Sequence, residues 1–434
     1  MEKYTAYINT LDAILESIEW GRCVFDNELV HFHLNGGAAS ELRTLVNRHQ
    51  LRNSGAFFTG EKLARQMVQL IAPKNYGDTS AWDPNCGAGD LLLRWSERLR
   101  LINGDLEATL LHWEKRLYGV EIHPEFLQVA KRRLILAAVS RGAKLKHGQL
   151  VPDNFFKGLI CHDLLHGDMC IPDKAVILMN PPFTMIETPE DCYNWSSGKV
   201  AFAAVAFLNC LKLARSGQQI IAILPDVLRS GSRYERWRKL VSQYASSAKV
   251  KVVGRFSNEA DVDVFILHAI SGKAGHTNIV WFQQSSRQDT HALGDICEVR
   301  VGTVVPHRHT QEGPKVAYLT TADSPPWREL KNLASTIRYS GTCVNGPFLA
   351  VRRTSSPSDI NRAITTIINY SGSVAVENHL ITLRPLDGKI QTCRRIQKHL
   401  RSEKVREWLD GRIRCRHLTV SSLREIPISP NDCP

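Results

Sequence analysis

Apolar runs alternate with helical patterns between about residues 50 and 285. The runs at 175–179, 219–224 and 262–267 have the length of buried strands, and residues 201–214 carry the apolar spacing of a helix. Strands that alternate with helices are typical of a largely parallel sheet covered on both faces. The pattern therefore predicts a doubly wound α/β domain, in which the segment at 262–270 is an antiparallel strand.

The pattern changes on both sides of this region. Residues 1–48 have helical spacing, which predicts a helical lead-in. Beyond residue 286, glycines and prolines punctuate short β-rich runs, and helical segments follow. We therefore expect a lead-in over 1–48, an α/β domain over 49–285 and a separate β-rich domain over 286–434.

The tetrapeptide Asn180-Pro181-Pro182-Phe183 directly follows the predicted strand at 175–179. An exocyclic amine conjugated to a purine ring is a poor nucleophile, so a site that methylates it needs acceptors for both amino hydrogens. The Asn180 side-chain oxygen and the next main-chain carbonyl can accept them, and an aromatic ring can stack on an extruded base. A Pro-Pro turn that closes a strand would have the same residues. The neighbouring motifs decide between these interpretations.

Residues 81–93 comprise a short strand end, a glycine turn and an apolar run suited to a helix. Gly87 and Gly89 allow the backbone to approach a ligand closely and leave amides free at a helix N-terminus. Asp83 and Asp90 would repel a phosphate. These acids suit a ligand with a cationic end, such as S-adenosylmethionine.

Two further acids follow apolar segments. Glu121 ends the run at 117–120, where a carboxylate can accept from both hydroxyls of a ribose. Asp168 could accept from an adenine amino group. Taken alone, each acid would more often be a solvated carboxylate at a strand end. In series with the glycine turn, they predict a pocket for a nucleoside cofactor.

The order of these segments resembles the gamma class of DNA adenine-N6 methyltransferases of restriction-modification systems. The segments are GAFFTG at 55–60, DPNCGAGD at 83–90, VEIHP at 120–124, HGD at 166–168 and NPPF at 180–183. The resemblance implies a Rossmann-like, seven-stranded class I methyltransferase domain with a C-terminal β-rich target-recognition domain. It also implies methyl transfer from S-adenosylmethionine to N6 of a flipped-out adenine in double-stranded DNA.

The same resemblance implies roles for individual residues. Cofactor contacts are implied at Phe57, Thr59, Asp83, Cys86, Gly87, Gly89, Glu121, Ile122 and Asp168. Catalytic contacts with the target base are implied at Asn180, Pro181 and Phe183, and the segment VVGRF at 252–256 makes Phe256 a second stacking aromatic. The chain departs from the class in having Asn85-Cys86 where Ala-Cys is common and Phe57-Phe58 where Phe-Tyr is common.

Composition is consistent with an enzyme of two domains, because 434 residues exceed the usual size of one core and 43% of them are hydrophobic. No run approaches the roughly 18 apolar residues of a membrane span, and residues 1–4 begin no apolar signal region. We therefore expect a location in the cytoplasm of a bacterial or archaeal cell. The 11 cysteines include no CxxC pair, so neither a disulfide framework nor a metal site is predicted.

The formal net charge of +12 favours a polyanionic partner. Basic residues concentrate near the C-terminus, and Arg394, Arg395, Arg412 and Arg414 are predicted to contact the phosphates of double-stranded DNA. An exposed basic helix with i,i+4 ion pairs would look similar. A cognate restriction endonuclease or another subunit of a defence system is a candidate partner.

Three other functions share part of this pattern. Cytosine-N4 methylation poses the same problem of an unreactive amine, so it stays an alternative. Protein glutamine methyltransferases carry the NPP-aromatic site but lack the FFT segment and a long basic C-terminal domain. A non-catalytic DNA-binding subunit would have a degenerate cofactor site, whereas every ligand-facing position of this sequence is intact.

Overall fold

The structure is a computed structural model, which describes residues 4–19, 27–45, 58–72, 79–146, 150–165, 170–257, 262–272, 277–282, 291–308, 312–355, 357 and 359–428. The chain divides into two compact units. The first unit comprises Met1–Leu228 and Arg236–Val280, and the second comprises Arg229–Glu235 and Trp281–Pro434. The helices of the predicted lead-in belong to the first unit, and the later boundary lies a few residues before the one predicted.

A seven-stranded sheet forms the centre of the first unit. Its strands are β1 (Ala81–Asp83), β2 (Leu117–Glu121), β3 (Leu159–Cys161), β4 (Val176–Met179), β7 (Gln219–Pro225), β8 (Ala245–Arg255) and β9 (Asp263–Ser271). Their spatial order is β3-β2-β1-β4-β7-β9-β8. The first five strands of this order run parallel, and β9 is antiparallel to both of its neighbours. The predicted doubly wound fold and its antiparallel strand are confirmed.

Helices cover the sheet. Those of the first unit are α1 (Thr5–Glu19), α2 (Asn27–Phe32), α3 (Ala38–Leu45), α4 (Glu61–Val68), α5 (Asp90–Ser96), α6 (Leu106–Glu114), α7 (Pro124–Ser140) and α8 (Phe202–Leu213). The short α9 (Asp226–Ser230) and α10 (Glu235–Tyr244) each cross a unit boundary. A small hairpin of β5 (Met185–Glu187) and β6 (Lys199–Ala201) follows the NPPF segment. The residues of β4 are all buried, which explains why its sequence is a continuous apolar run.

The N-terminal helices share the core of the α/β domain. The ring of Tyr4 contacts that of Phe126 on α7 edge to face, with the ring centroids 5.2 Å apart. Arg132, also on α7, donates to Asp12 of α1 over 2.7 Å. The lead-in is therefore an integral part of the first unit.

The second unit is built from β-strands and ends in helices. Its strands are β10 (His291–Ala292), β11 (Cys297–Val301), β12 (Lys315–Leu319), β13 (Glu329–Leu330), β14 (Thr336–Arg338), β15 (Val344–Asn345), β16 (Phe348–Arg352), β17 (Thr365–Ile368), β18 (Ser373–Val376), β19 (Leu380–Pro385) and β20 (Pro427–Ile428). They form sheets of order β11-β19-β16-β17-β13, β14-β12-β18-β15 and β10-β20. The helices are α11 (Leu293–Ile296), α12 (Ile390–Leu400), α13 (Glu403–Arg412) and α14 (Val420–Arg424). This architecture confirms the β-rich C-terminal domain.

None of the described helices combines the length and apolar character that a membrane span requires.

Candidate active site

The parallel strands β1, β2, β3 and β4 bring their carboxyl ends to one edge of the sheet. β1 lies between β2 and β4, and this is the point at which the strand order reverses direction. Ligands of open α/β sheets bind outside the strand ends at such a switch point. The end of β1 carries Asp83, the end of β2 carries Glu121, and Asn180 follows β4. The fold thus places three predicted site residues at one edge.

The loop between β1 and α5 requires both of its glycines. Gly87 has a φ of 51° and Gly89 a φ of 84°, in the left-handed region that side chains rarely adopt. A Cβ at Gly87 would lie 3.0 Å from the ring of Phe58, and one at Gly89 would lie 3.0 Å from the Cβ of Ala130 on α7. Gly89 therefore serves helix packing, whereas Gly87 faces the cavity described below.

Glu121 bonds to this loop from the neighbouring strand. Its Oε2 accepts from the main-chain amide of Gly87 and its Oε1 from that of His123, each over 3.0 Å. Burial raises the pKa of the carboxyl, although these two bonds oppose the effect. The end of β2 and the glycine loop are thereby fixed to each other.

Two predicted cofactor contacts, Asp83 at the end of β1 and Cys86 in the loop, are buried. Asp83 is buried and accepts from the amide of Asn85 over 3.0 Å. Burial raises its pKa well above the usual range, and the nearby charge of Glu121 adds to this effect. Cys86 is also buried, packs close to Gly119 of β2, and has a thiol whose pKa burial raises strongly. Both residues support the loop, and Cys86 is a neutral thiol at neutral pH.

Asp90 forms an ion pair with Arg133. Its Oδ1 accepts from Nη1 of the fully buried Arg133 over 2.8 Å, and its Oδ2 accepts from the amide of Gly60 over 2.8 Å. The expectation that Asp90 suits the cationic end of a ligand was therefore wrong. Its charge is balanced within the protein.

On the other side of the sheet edge, Asn180 donates from Nδ2 to the Thr59 hydroxyl oxygen over 3.1 Å. Pro181 is buried. The rings of Phe183 and Phe256 lie nearly perpendicular, at 83°, with centroids 5.4 Å apart. The structure thus brings together the two predicted stacking aromatics, and it joins the NPPF loop to the FFT segment.

A cavity of about 290 Å³ connects the glycine loop with the NPPF loop. The described residues that line it are Phe58, Pro84, Asn85, Gly87, Glu121, Ile122, His123, Phe126, His162, Asp163, Leu164, Leu165, Asn180, Pro182, Thr184, Ile186 and Phe202. Carboxylates and apolar side chains are present among them, but neither lysine nor arginine. Such a lining disfavours phosphate and suits a nucleoside with a positive charge. The described residues include no group of three or more His, Cys, Asp or Glu placed to hold a metal ion.

Some residues that were predicted to contact the cofactor are not among the residues that line the cavity. Phe57 and Asp168 lie outside the described residues. Their neighbours Phe58 and Asp163 line the cavity, and the Asp163 carboxylate accepts from the amide of Leu165 over 2.9 Å. Asp163 stands two residues beyond β3, a three-residue strand with a single buried side chain. Its three apolar residues are too short a run to stand out as a strand, and the sequence pattern missed this acid.

The four arginines predicted to bind DNA differ in their surroundings. Arg412 is buried, bonds the Glu425 carboxylate over 2.6 and 3.1 Å, and stacks 3.7 Å above the ring of Phe282. This corrects the expectation that it contacts phosphate. Arg394 is exposed and bonds both carboxylate oxygens of Glu329. Arg395 is exposed, and Arg414 is half-buried.

The comparison with known families agrees with this site. The family model described as N-6 DNA Methylase matches residues 42–293, more than half of the chain. The chain therefore belongs to the N-6 DNA methylase family. The comparison with curated proteins gave no match.

Among solved structures, the chain is similar to the type IIL restriction-modification enzyme MmeI in complex with DNA. The two are 13% identical, with a TM-score of 0.53, over 89% of this chain and 69% of that one. The chain is also similar to a modification subunit of a putative type I restriction enzyme from Vibrio vulnificus YJ016, with 17% identity and a TM-score of 0.37 over 58% of this chain and 53% of that one. It therefore spans about half the length of the Vibrio structure. At these identities, the likeness to MmeI shows the fold.

Proposed function

We propose that this protein transfers a methyl group from S-adenosylmethionine to N6 of a flipped-out adenine in double-stranded DNA. In this proposal it is the modification part of a restriction-modification or related phage-defence system. One observation carries the proposal: a single cavity joins Glu121 and Gly87 on one side to Asn180 and Pro182 on the other. A methyl donor and an amine acceptor must meet in such a cavity for direct transfer.

The first side of the cavity fits the cofactor. Glu121 lies where it can accept from the ribose hydroxyls, and Ile122, 54% exposed at the cavity, offers an apolar surface to the adenine ring. Asp163 follows β3 and lines the cavity, and we assign it the adenine amino group. When bound, S-adenosylmethionine supplies a methyl group made electrophilic by the sulfonium.

The second side fits the amine. The Asn180 amide oxygen and the Pro181 carbonyl can accept the two hydrogens of N6, which frees the nitrogen lone pair from the purine ring. Phe183 can stack on the base, and the edge contact with Phe256 holds the Phe183 ring in place. Transfer then forms the N6–C bond, breaks the C–S bond and releases one proton from N6. Because Cys86 is a buried neutral thiol, a cysteine nucleophile of the cytosine-C5 type is not supported.

The second unit is proposed to recognise the target sequence. The likeness to MmeI, which was solved with DNA, extends over 89% of this chain and so reaches beyond the first unit. The exposed Arg395 on α12 and the formal net charge of +12 support contact with DNA phosphates. A nuclease or another defence-system subunit is the proposed protein partner.

Nucleoside mass spectrometry tests the reaction. Unmethylated DNA is incubated with the full-length protein and S-adenosylmethionine that carries a deuterated methyl group, and the DNA is then digested. We expect deuterated N6-methyladenine, at one sequence when the DNA is read by modified-base sequencing. Deuterated N4-methylcytosine would instead assign the alternative cytosine activity, which the same amine chemistry permits. Label found only in protein would contradict both.

A further inference from the structure

Thr59 is the hydrogen-bond partner of Asn180. The Thr59 hydroxyl oxygen accepts from Asn180 Nδ2 over 3.1 Å, although the two residues lie 121 positions apart in the sequence. Thr59 is not among the described residues that line the cavity, whereas Asn180 is. The Thr59 hydroxyl therefore contacts Asn180, and Asn180 in turn lines the cavity.

The orientation of an amide decides what it offers to a base. One end of the Asn180 side chain is an acceptor oxygen and the other is a donor NH2 group. The target amine donates both of its hydrogens to acceptors, so it needs the amide oxygen. A rotated amide would instead place its NH2 donor against the donor of the amine. The Thr59 hydroxyl can donate as well as accept, and in the structure it accepts from Nδ2, which holds the amide with Oδ1 as the end that serves the base.

Buried contacts fix the backbone beside Thr59. The amide of Gly60, the next residue, donates to Asp90 over 2.8 Å, and Asp90 is ion-paired with Arg133. Arg133 is fully buried and also donates to the carbonyls of Ala88 and His33, over 2.6 and 2.9 Å. The segment that carries Thr59 is therefore held against the glycine loop and the N-terminal helices.

We propose that Thr59 is a positioning residue, which orients the Asn180 amide so that its oxygen accepts from the target amine. This role differs from the cofactor contact that the family resemblance implies for Thr59. The inference rests on the proposed function, because it concerns the methyl-transfer step at the same site.

The test compares Thr59→Val, which removes the hydroxyl, with Thr59→Ser, which keeps it. The duplex carries the sequence that the wild-type protein is found to methylate. Single-turnover rates are measured at saturating S-adenosylmethionine and duplex, and cofactor affinity is measured by titration without DNA. Loss of one hydrogen bond that orders a reacting group corresponds to roughly a 10- to 100-fold slower transfer for Thr59→Val. Thr59→Ser should stay within about threefold of wild type, and both should bind the cofactor within about threefold.

Thr277→Val is the matched control, since its hydroxyl bonds the carbonyl of Ala245 and it does not line the cavity. This variant should transfer at the wild-type rate. A Thr59→Val protein as fast as wild type would overturn the inference. So would a loss of cofactor affinity equal to the loss in rate, because Thr59 would then act on the cofactor. A wild-type protein that methylates no DNA would instead overturn the proposed function itself.

Discussion

The main-chain amide of Gly87 donates to Glu121 over 3.0 Å, so the glycine loop and the end of β2 are already joined at the cavity wall. A side chain at position 87 would collide with Phe58, which lines the same cavity. The hydrogen bond to Glu121 and the packing of Phe58 both occur at Gly87, so this residue connects the glycine turn with the strand-end acid and with the FFT segment, which stand far apart in the sequence. It also presents the carboxylate to the cavity in a fixed position.

Replacement of Glu121 by Ala should weaken S-adenosylmethionine binding by at least about tenfold, because a bond to a charged group contributes about 1.5 to 3 kcal/mol. Titration calorimetry measures the affinity. Affinity for DNA should be largely retained. Glu107→Ala, which removes an exposed carboxylate on α6, is the control. Unchanged cofactor affinity in the Glu121 variant would remove this residue from the site.

Cofactor affinity should also depend on pH. The ionised form of Glu121 is the stronger acceptor, and burial raises the pKa of its carboxyl. Protonation, and with it the loss of affinity, should therefore begin at a higher pH than for an ordinary glutamate as the solution is acidified. Titrations over a pH series should show this fall in the wild-type protein and a weaker one in Glu121→Gln. Equal pH profiles would contradict the assignment.

Replacement of Arg412 by Ala should destabilise the protein by about 1 to 3 kcal/mol, because it removes two bonds to Glu425 and the stacking on Phe282. The midpoint of thermal unfolding measures the effect. Arg406→Ala on the same helix removes an exposed pair with Glu403 and should cost about 1 kcal/mol or less. Similar midpoints for the two variants would show that the buried pair contributes no more to stability than the exposed pair.

Replacement of Arg395 by Ala should weaken DNA binding. If Arg395 neutralises one phosphate, the slope of log affinity against log salt should become shallower by about 0.9. Arg394→Ala makes the same change of charge at a residue that bonds both carboxylate oxygens of Glu329, and its slope is measured for comparison. DNA binding over a salt series gives both slopes. An unchanged slope for Arg395→Ala would place the DNA elsewhere.

The sequence predicted those parts of the fold that local patterns encode. β4 and β7 are continuous apolar runs because both of their faces are buried, and the two prolines of the NPPF segment fix their own φ angles. β3 was missed together with Asp163, since a strand of three residues with one buried side chain has no readable pattern.

Partners distant in sequence explain the other differences. Asp90 pairs with Arg133, 43 positions away, and no local sequence pattern predicts this ion pair. Arg412 stands in a basic stretch that looks like an exposed helix face. Tertiary packing buries it against Glu425 and Phe282 instead. A pattern of charges records where cations occur, and only the fold decides which of them remain at the surface.

Asn180 is proposed to act on the target amine in a cavity shared with the cofactor. The most direct test measures methyl transfer to DNA and S-adenosylmethionine affinity in the same preparation of Asn180→Ala. We predict that transfer is nearly abolished while cofactor affinity stays within a few-fold of wild type, because the side chain acts on the base. Transfer at the wild-type rate by this variant would contradict the account.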